Sequence, residues 1–136
     1  MNAKQFLNRA RRIDKEIDEN LALYENTKTR LTSITQSLDG AIVSGTKDPH
    51  KFDRLVELKD TIDSQVDEFV RVKIEIYKVL MKLSDRNQRL ALIAYYLEMK
   101  TWEQIAVNMS YSYQHIMWIR KQAILEVEKL LKDKIE

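Results

Sequence analysis

Apolar residues recur every three or four positions along the first and middle parts of the chain, the spacing of helices that bury one face. The first seam consists of Phe6, Ala10, Ile13, Ile17, Tyr24, Leu31, Ile34 and Leu38. In the second, a large apolar residue returns at every seventh position, at Leu55, Ile62, Phe69, Ile76 and Leu83. These patterns predict two long helices, over residues 3–38 and 50–83.

The segment between these helices, residues 39–49, holds both glycines and the single proline of the chain. It is predicted to be a hinge loop. Two heptad-patterned helices of similar length joined by a short loop favour a long antiparallel hairpin, a coiled coil, over residues 1–83. The same loop would also let the arms separate, so a homodimer through the coiled coil stays open.

The predicted second domain, residues 84–136, begins with capping signals. Ser84 is the expected N-cap of the next helix, with Asp85 favourable in its first turn. The apolar run 90–97 follows and predicts a helix in the centre of the domain. Thr101 then opens a capping box with Gln104. Asn108 or Ser110 is the expected left-handed residue of the next corner.

After that corner, the last helix is predicted to start at Ser112 as N-cap. Two short helices meeting at a sharp corner are typical of a helix-turn-helix, so the predicted fold class is all-α, a helical hairpin followed by a helix-turn-helix. The buried face of the last helix is expected to comprise Ile116, Ile119, Ala123, Val127 and Leu130.

The opposite face of the last helix carries the candidate DNA-binding residues. A recognition helix meets base edges with the N-terminal half of such a face, where Gln can read adenine and apolar side chains can contact thymine methyl groups. The base-reading candidates are Tyr113, Gln114, His115, Met117 and Trp118. The phosphate-contacting candidates are Thr101, Arg120 and Lys121.

Two other functions remain open from the residues. Met117, Trp118 and Leu125 could form a second apolar stripe that packs on the hairpin or on a second subunit, which would make the chain a coiled-coil protein-interaction module. A small DNA-packaging protein of the terminase small-subunit type also combines a helix-turn-helix with a coiled coil. The basic cluster Arg9, Arg11 and Arg12 either contacts phosphate or an acidic protein surface, or forms a solvated face.

The composition argues against several other classes of protein. The chain has no cysteine, its two histidines lie far apart, and both glycines fall in the hinge, so neither a metal site nor a phosphate-binding loop is indicated. We therefore expect no enzyme activity and no cofactor. No apolar run approaches the ~20 residues of a membrane span, so a cytoplasmic protein without a membrane partner is expected. The net charge is only +2, so a DNA-binding face must arise from local arrangement.

The stretch from Leu83 to Leu131 resembles region 4 of sigma-70-type RNA polymerase sigma factors. The resemblance rests on residues in matching order and spacing: Leu83-Ser-Asp-Arg, Leu90, Ile93, Tyr95 or Tyr96, Thr101-Trp-Glu-Gln-Ile-Ala106, Ser112, Ile116, Ile119 and Ala123. Nearly the whole chain is similar to a narrower group, the ArpU/RinA-type late transcription regulators of phages and prophages. In these proteins a helical N-terminal segment precedes the same C-terminal unit.

The resemblance implies a sequence-specific regulator of phage or prophage genes. It would bind double-stranded DNA and act with RNA polymerase in the cytoplasm of a bacterial host. The base-reading positions of region 4 fall on Tyr113, Gln114 and Met117, beside His115 and Trp118. Sigma factors favour charged residues there, so their −35 promoter specificity is not expected to carry over. Counterparts of the sigma regions that bind the −10 element and the polymerase clamp are not expected either, so the chain should not be a complete sigma factor.

Overall fold

The computed structural model describes residues 1–37 and 51–135, and the side chains of residues 1–33 and 52–133. Every element in these ranges is helical, which confirms the predicted all-α class. The elements are α1 (Ala3–Ser37), α2 (Lys51–Leu80), α3 (Arg86–Leu92) with a π-helical turn (Ile93–Leu97), α4 (Trp102–Met109) and α5 (Tyr113–Ile135). The hinge predicted at 39–49 lies outside the described residues, and the antiparallel hairpin stays a prediction.

The chain forms two compact units. The larger unit comprises Met1–Ile13 and Phe69–Glu136, and the smaller unit comprises Asp14–Glu68. The start of α1 and the end of α2 therefore group with the C-terminal helices. The domain boundary predicted after residue 83 stays a prediction.

The smaller unit contains the middle of the predicted coiled-coil seam. Ile17, Leu55 and Ile62 are buried, as their heptad positions require. Asn20 lies in the same seam, and its amide donates a 3.0 Å hydrogen bond to Gln65 Oε1. A satisfied amide pair between apolar layers favours the one register in which the two amides meet.

The larger unit holds most of the core, to which α1, α2, the π-helical turn, α4 and α5 all contribute. At the start of α1 the buried arc is wider than the predicted seam, because Ala3 and Leu7 are fully buried as well. The Ala3 amide donates a 2.8 Å hydrogen bond to the Glu128 carboxylate of α5. A carboxylate beside the free amides of a helix N-terminus is electrostatically favourable, so this contact helps to hold α1 against α5.

Two boundaries differ from the predictions. Helix α2 ends at Leu80, and tight turns follow it, yet Leu83 is still buried. The N-cap of α3 is Asp85 and not Ser84: Asp85 has an extended backbone, and its carboxylate accepts a 3.0 Å hydrogen bond from the Gln88 amide. The carboxylate satisfies that amide and also carries the negative charge that a helix N-terminus favours.

The apolar run 90–97 is helical, as predicted, but it is not buried on every side. Leu92, Tyr96 and Leu97 are buried, whereas Leu90 is exposed. From Ile93 the helix widens into the π-helical turn, in which the Glu98 amide donates to the Ile93 carbonyl at 3.0 Å. Such turns commonly occur at functional sites and change the direction in which the following side chains point.

The capping residues and the left-handed residue predicted between residues 101 and 112 are confirmed. The capping box of α4 has both hydrogen bonds: the Gln104 amide donates to Thr101 Oγ1 at 3.2 Å, and the Thr101 amide donates to Gln104 Oε1 at 3.0 Å. Ser110 adopts the left-handed conformation, with φ 61° and ψ 37°. Ser112 Oγ accepts a 3.1 Å hydrogen bond from the His115 amide and caps α5. The capping box sets where α4 begins, Ser110 sets where it ends, and Ser112 sets where α5 begins.

Candidate nucleic-acid interface

A stack of four side chains connects α4 and α5 to the rest of the larger unit. The Tyr95 and Trp102 rings lie parallel, with centroids 4.3 Å apart and an interplanar angle of 16°. The Arg11 guanidinium lies 3.9 Å from the Tyr95 centroid, and that of Arg120 lies 5.4 Å from the Trp102 ring. We call Arg11, Tyr95, Trp102 and Arg120 the arginine–aromatic stack. It joins α1, the π-helical turn, α4 and α5.

Arg11 also contacts the backbone of the π-helical turn. Its Nη1 donates a 2.6 Å hydrogen bond to the Tyr95 carbonyl. Arg9 forms an ion pair of 2.6 Å with Glu75 of α2, and its guanidinium lies 4.9 Å from the Phe6 ring centroid. Two members of the basic cluster therefore have partners inside the larger unit, while Arg12 is exposed. The structure explains the cluster mainly as packing between α1 and its neighbours.

The predicted phosphate-contacting residues lie in different environments. Lys121 and Thr101 are exposed, and the Thr101 hydroxyl takes part in the capping box. Arg120 is half-buried: its guanidinium lies near the Trp102 ring, and its positive charge lies close to the buried Tyr96 hydroxyl. Burial raises the pKa of the Tyr96 hydroxyl, and the positive charge of Arg120 partly opposes that rise. The position of Arg120 suits orienting α5 better than reaching a phosphate.

Four of the five base-reading candidates lie together on the exposed side of α5. Tyr113 and Trp118 are 48% and 58% exposed, and Gln114 and His115 are exposed as well. Met117 is half-buried. All five belong to the first two turns of α5, the part of a recognition helix that meets base edges. The arrangement combines a donor-and-acceptor amide with aromatic side chains that present large apolar surfaces.

The exposed aromatic side chains form a connected row. The Tyr111 and His115 rings are 4.6 Å apart, and the His115 and Trp118 rings are 5.8 Å apart with an interplanar angle of 23°. Asn87 of α3 donates a 3.0 Å hydrogen bond to the Tyr111 hydroxyl. These contacts restrict the side chains before any partner binds, which reduces the entropy lost on binding. Tyr111 was not among the candidates, because it precedes the N-cap Ser112 and helical spacing does not apply to a residue outside α5.

A groove of about 410 Å³ lies beside this face. Its lining residues are Lys4, Met117, Arg120, Lys121, Ile124 and Leu125. Three of these six are basic, so the local charge is positive although the net charge of the chain is small. The alternative of a second apolar stripe buried against the hairpin does not describe Trp118 or Leu125, because they are 58% and 50% exposed.

Comparison with known proteins returned no relative: no family model, no curated protein and no solved structure matches the chain. Within residues 1–37 and 51–135, no helix has the length and apolar character needed to cross a membrane. The same ranges contain no group of three or more acidic or histidine side chains placed to hold a metal ion. The resemblance to sigma region 4 and to phage late regulators stays a prediction.

Proposed function

We propose that this protein is a sequence-specific DNA-binding transcription regulator that places the N-terminal half of α5 in the major groove. The observation that carries the proposal is the exposed face of Tyr113, Gln114, His115 and Trp118 at the start of the second helix of a capped helix-turn-helix. A neutral Gln side chain can bond bidentately to adenine, and aromatic edges can contact thymine methyl groups. Because Trp118 is 58% exposed, its indole is free to contact base edges.

The surroundings of that face support a groove-bound helix. In such complexes the first helix crosses the sugar–phosphate backbone while the second enters the groove. Here the first helix is α4, and Thr101 lies exposed at its N-terminus. Lys121 and Lys4 line the groove beside the reading face and can neutralise phosphates. In this arrangement Arg120 contributes by holding α5 through Trp102 and Tyr96, and the DNA contacts come from its neighbours.

The genes and the partner in this proposal rest on the resemblance of residues 83–131 to sigma region 4. On that basis the regulator acts on phage or prophage genes together with bacterial RNA polymerase. The proposal is supported by the burial of the residues of α4 and α5 that would form the core of a helix-turn-helix: Ile105, Ala106, Ile116 and Ile119. The role as a partner of polymerase predicts that binding to a promoter-containing DNA is tighter when the polymerase is present.

The proposal is tested by selecting preferred duplexes from a random DNA pool and measuring Kd for a selected and a scrambled duplex over a salt series. We expect the selected duplex to bind more tightly, with both affinities falling as salt rises, because phosphate neutralisation releases counterions. Lys121→Ala should weaken both duplexes about equally and reduce the salt slope by about 1. Lys129→Ala is the matched control, because Lys129 lies about two turns further along α5 and pairs with Glu126. Equal affinity for both duplexes, or salt-independent binding, would count against the proposal.

A further inference from the structure

Helix α2 has two apolar faces within the larger unit. One face is buried and consists of Val72, Ile76, Val79 and Leu80. The other comprises Val70, Ile74 and Tyr77 of α2 and Met81 of the turn that directly follows it, and these residues are 47–49% exposed. At 100° per residue these four side chains lie within an arc of roughly 60°, on the side of α2 away from its buried face. We call Val70, Ile74, Tyr77 and Met81 the outer α2 stripe.

The spacing of the outer α2 stripe is that of a helix-packing seam. Its steps of four, three and four residues correspond to alternating d and a positions of a heptad. A groove of about 640 Å³ runs along it, lined by Ile74, Tyr77 and Met81 together with charged neighbours. Single exposed apolar residues are ordinary, but a contiguous row at heptad spacing marks a surface for another helix.

The charged residues that line this groove are mostly positive. Arg71, Lys78 and Lys82 line one flank of the groove, and Lys73 lies on the other flank. Glu75 is the acidic residue among those lining the groove, and its carboxylate is paired with Arg9 at 2.6 Å. The effective field along the stripe is therefore basic.

This charge decides between two kinds of helical partner. In a self-pairing of the stripe, flanking positions face each other across the seam in both parallel and antiparallel arrangements. Lys73 would then face Lys78 of the second copy in a parallel pair, and Arg71 and Lys78 would face basic residues of the same flank in an antiparallel pair. Like charges at these positions oppose association. An amphipathic helix with an apolar row and acidic flanks matches both the spacing and the charge.

We propose that the outer α2 stripe binds an amphipathic, acid-flanked helix of a partner protein. The stripe belongs to α2, and the reading face belongs to α5, so this inference does not depend on DNA binding. It assigns the larger unit a protein-docking surface besides the proposed DNA interface. Because Arg9 neutralises Glu75, the remaining charges that line the groove are basic, and they would select a partner with acidic flanks.

The test uses the full chain and two labelled synthetic helices of about three heptads each, with Leu at the seam and either Glu or Lys at the flanks. Fluorescence anisotropy should show the Glu peptide binding at least about tenfold more tightly than the Lys peptide, with the difference shrinking at high salt. Ile74→Glu should abolish binding of the Glu peptide. The double variant R71E/K78E should reverse the preference between the two peptides. Val107→Glu, at a 77% exposed position of α4, is the matched control and should leave both affinities unchanged.

Circular dichroism of each variant checks folding, which these exposed positions should tolerate. Equal binding of the two peptides, or binding that survives Ile74→Glu, would overturn the proposal. A dimer of the free chain that Ile74→Glu converts to a monomer in sedimentation equilibrium would instead assign the stripe to self-association. Duplex DNA binding lost in Lys78→Glu, without any preference between the peptides, would assign it to nucleic acid.

Discussion

Replacing Trp102 by alanine is expected to lower the free energy of unfolding by about 3–5 kcal/mol, the usual cost of removing a buried aromatic side chain. The Trp102 ring is 7% exposed, lies 4.3 Å from the Tyr95 ring and contacts the Arg120 guanidinium. Its removal leaves a cavity and separates α4 from both neighbours in the arginine–aromatic stack. Because domains of this size are stable by only about 5–15 kcal/mol, this one change removes a large share of the stability.

Urea unfolding followed by far-UV circular dichroism measures this effect. Trp102→Phe should cost clearly less, because a smaller aromatic ring can still stack on Tyr95. Trp118→Ala provides the matched control, since Trp118 is 58% exposed and its loss should change stability by no more than about 0.5 kcal/mol. A loss below about 1 kcal/mol for Trp102→Ala would show that the stack does not hold the larger unit together.

Trp118→Ala is expected to have the opposite profile, with normal stability and weakened DNA binding. The exposed indole lies beside His115 at the centre of the reading face, where it can bury a large apolar area against base edges. Truncating such an anchor typically costs about 1–3 kcal/mol of binding free energy, roughly five- to 150-fold in Kd. The loss should affect the selected duplex more than a scrambled one, because the indole would meet bases and not phosphates.

Titration of a selected duplex measures the change in Kd, and tryptophan emission gives an independent readout. Trp102 and Trp118 are the two tryptophans of the chain, so in a Trp102→Phe background the emission comes from Trp118 alone. We expect this emission to change when the duplex is added. Val107→Ala on α4 removes an exposed apolar side chain away from the reading face and should leave Kd unchanged. If Trp118→Ala left Kd unchanged, and if the emission of Trp118 did not change on addition of the duplex, the DNA would bind to another surface of the protein.

The sequence predicted the features that depend on neighbours within one helical turn. The capping box of Thr101 and Gln104, the left-handed turn residue and the Ser112 cap each involve side chains no more than three positions from the amide that they serve or the turn that they form. Helical periodicity likewise predicted which side of α5 is buried, because Ile116, Ile119, Ala123 and Val127 recur at helix spacing. Leu130, predicted to lie on the same buried face, is only half-buried. The expected burial is therefore a local consequence of the sequence.

The sequence did not predict contacts between residues that are far apart along the chain. Arg11 and Tyr95 are 84 positions apart, and the role of Arg11 follows only once α1 and the π-helical turn are brought together. Arg120 lies near the border of the predicted outer face, and its inward position is set by Trp102 and Tyr96 from other elements. The outer α2 stripe was also missed, because its residues alternate along the chain with those of the buried face, and periodicity alone does not separate the two sets.

Whether the exposed face of α5 reads DNA bases is measured most directly by comparing the wild type with Gln114→Ala. Both proteins would select preferred duplexes from the same random DNA pool, and their sequence preferences would be compared. Gln114 is exposed in the first turn of α5, where its amide can bond an adenine edge. We expect Gln114→Ala to lose the preference for adenine at one position of the DNA site and to keep the base preferences at the other positions. Identical preferences for the two proteins, or no preference in the wild type, would contradict this expectation.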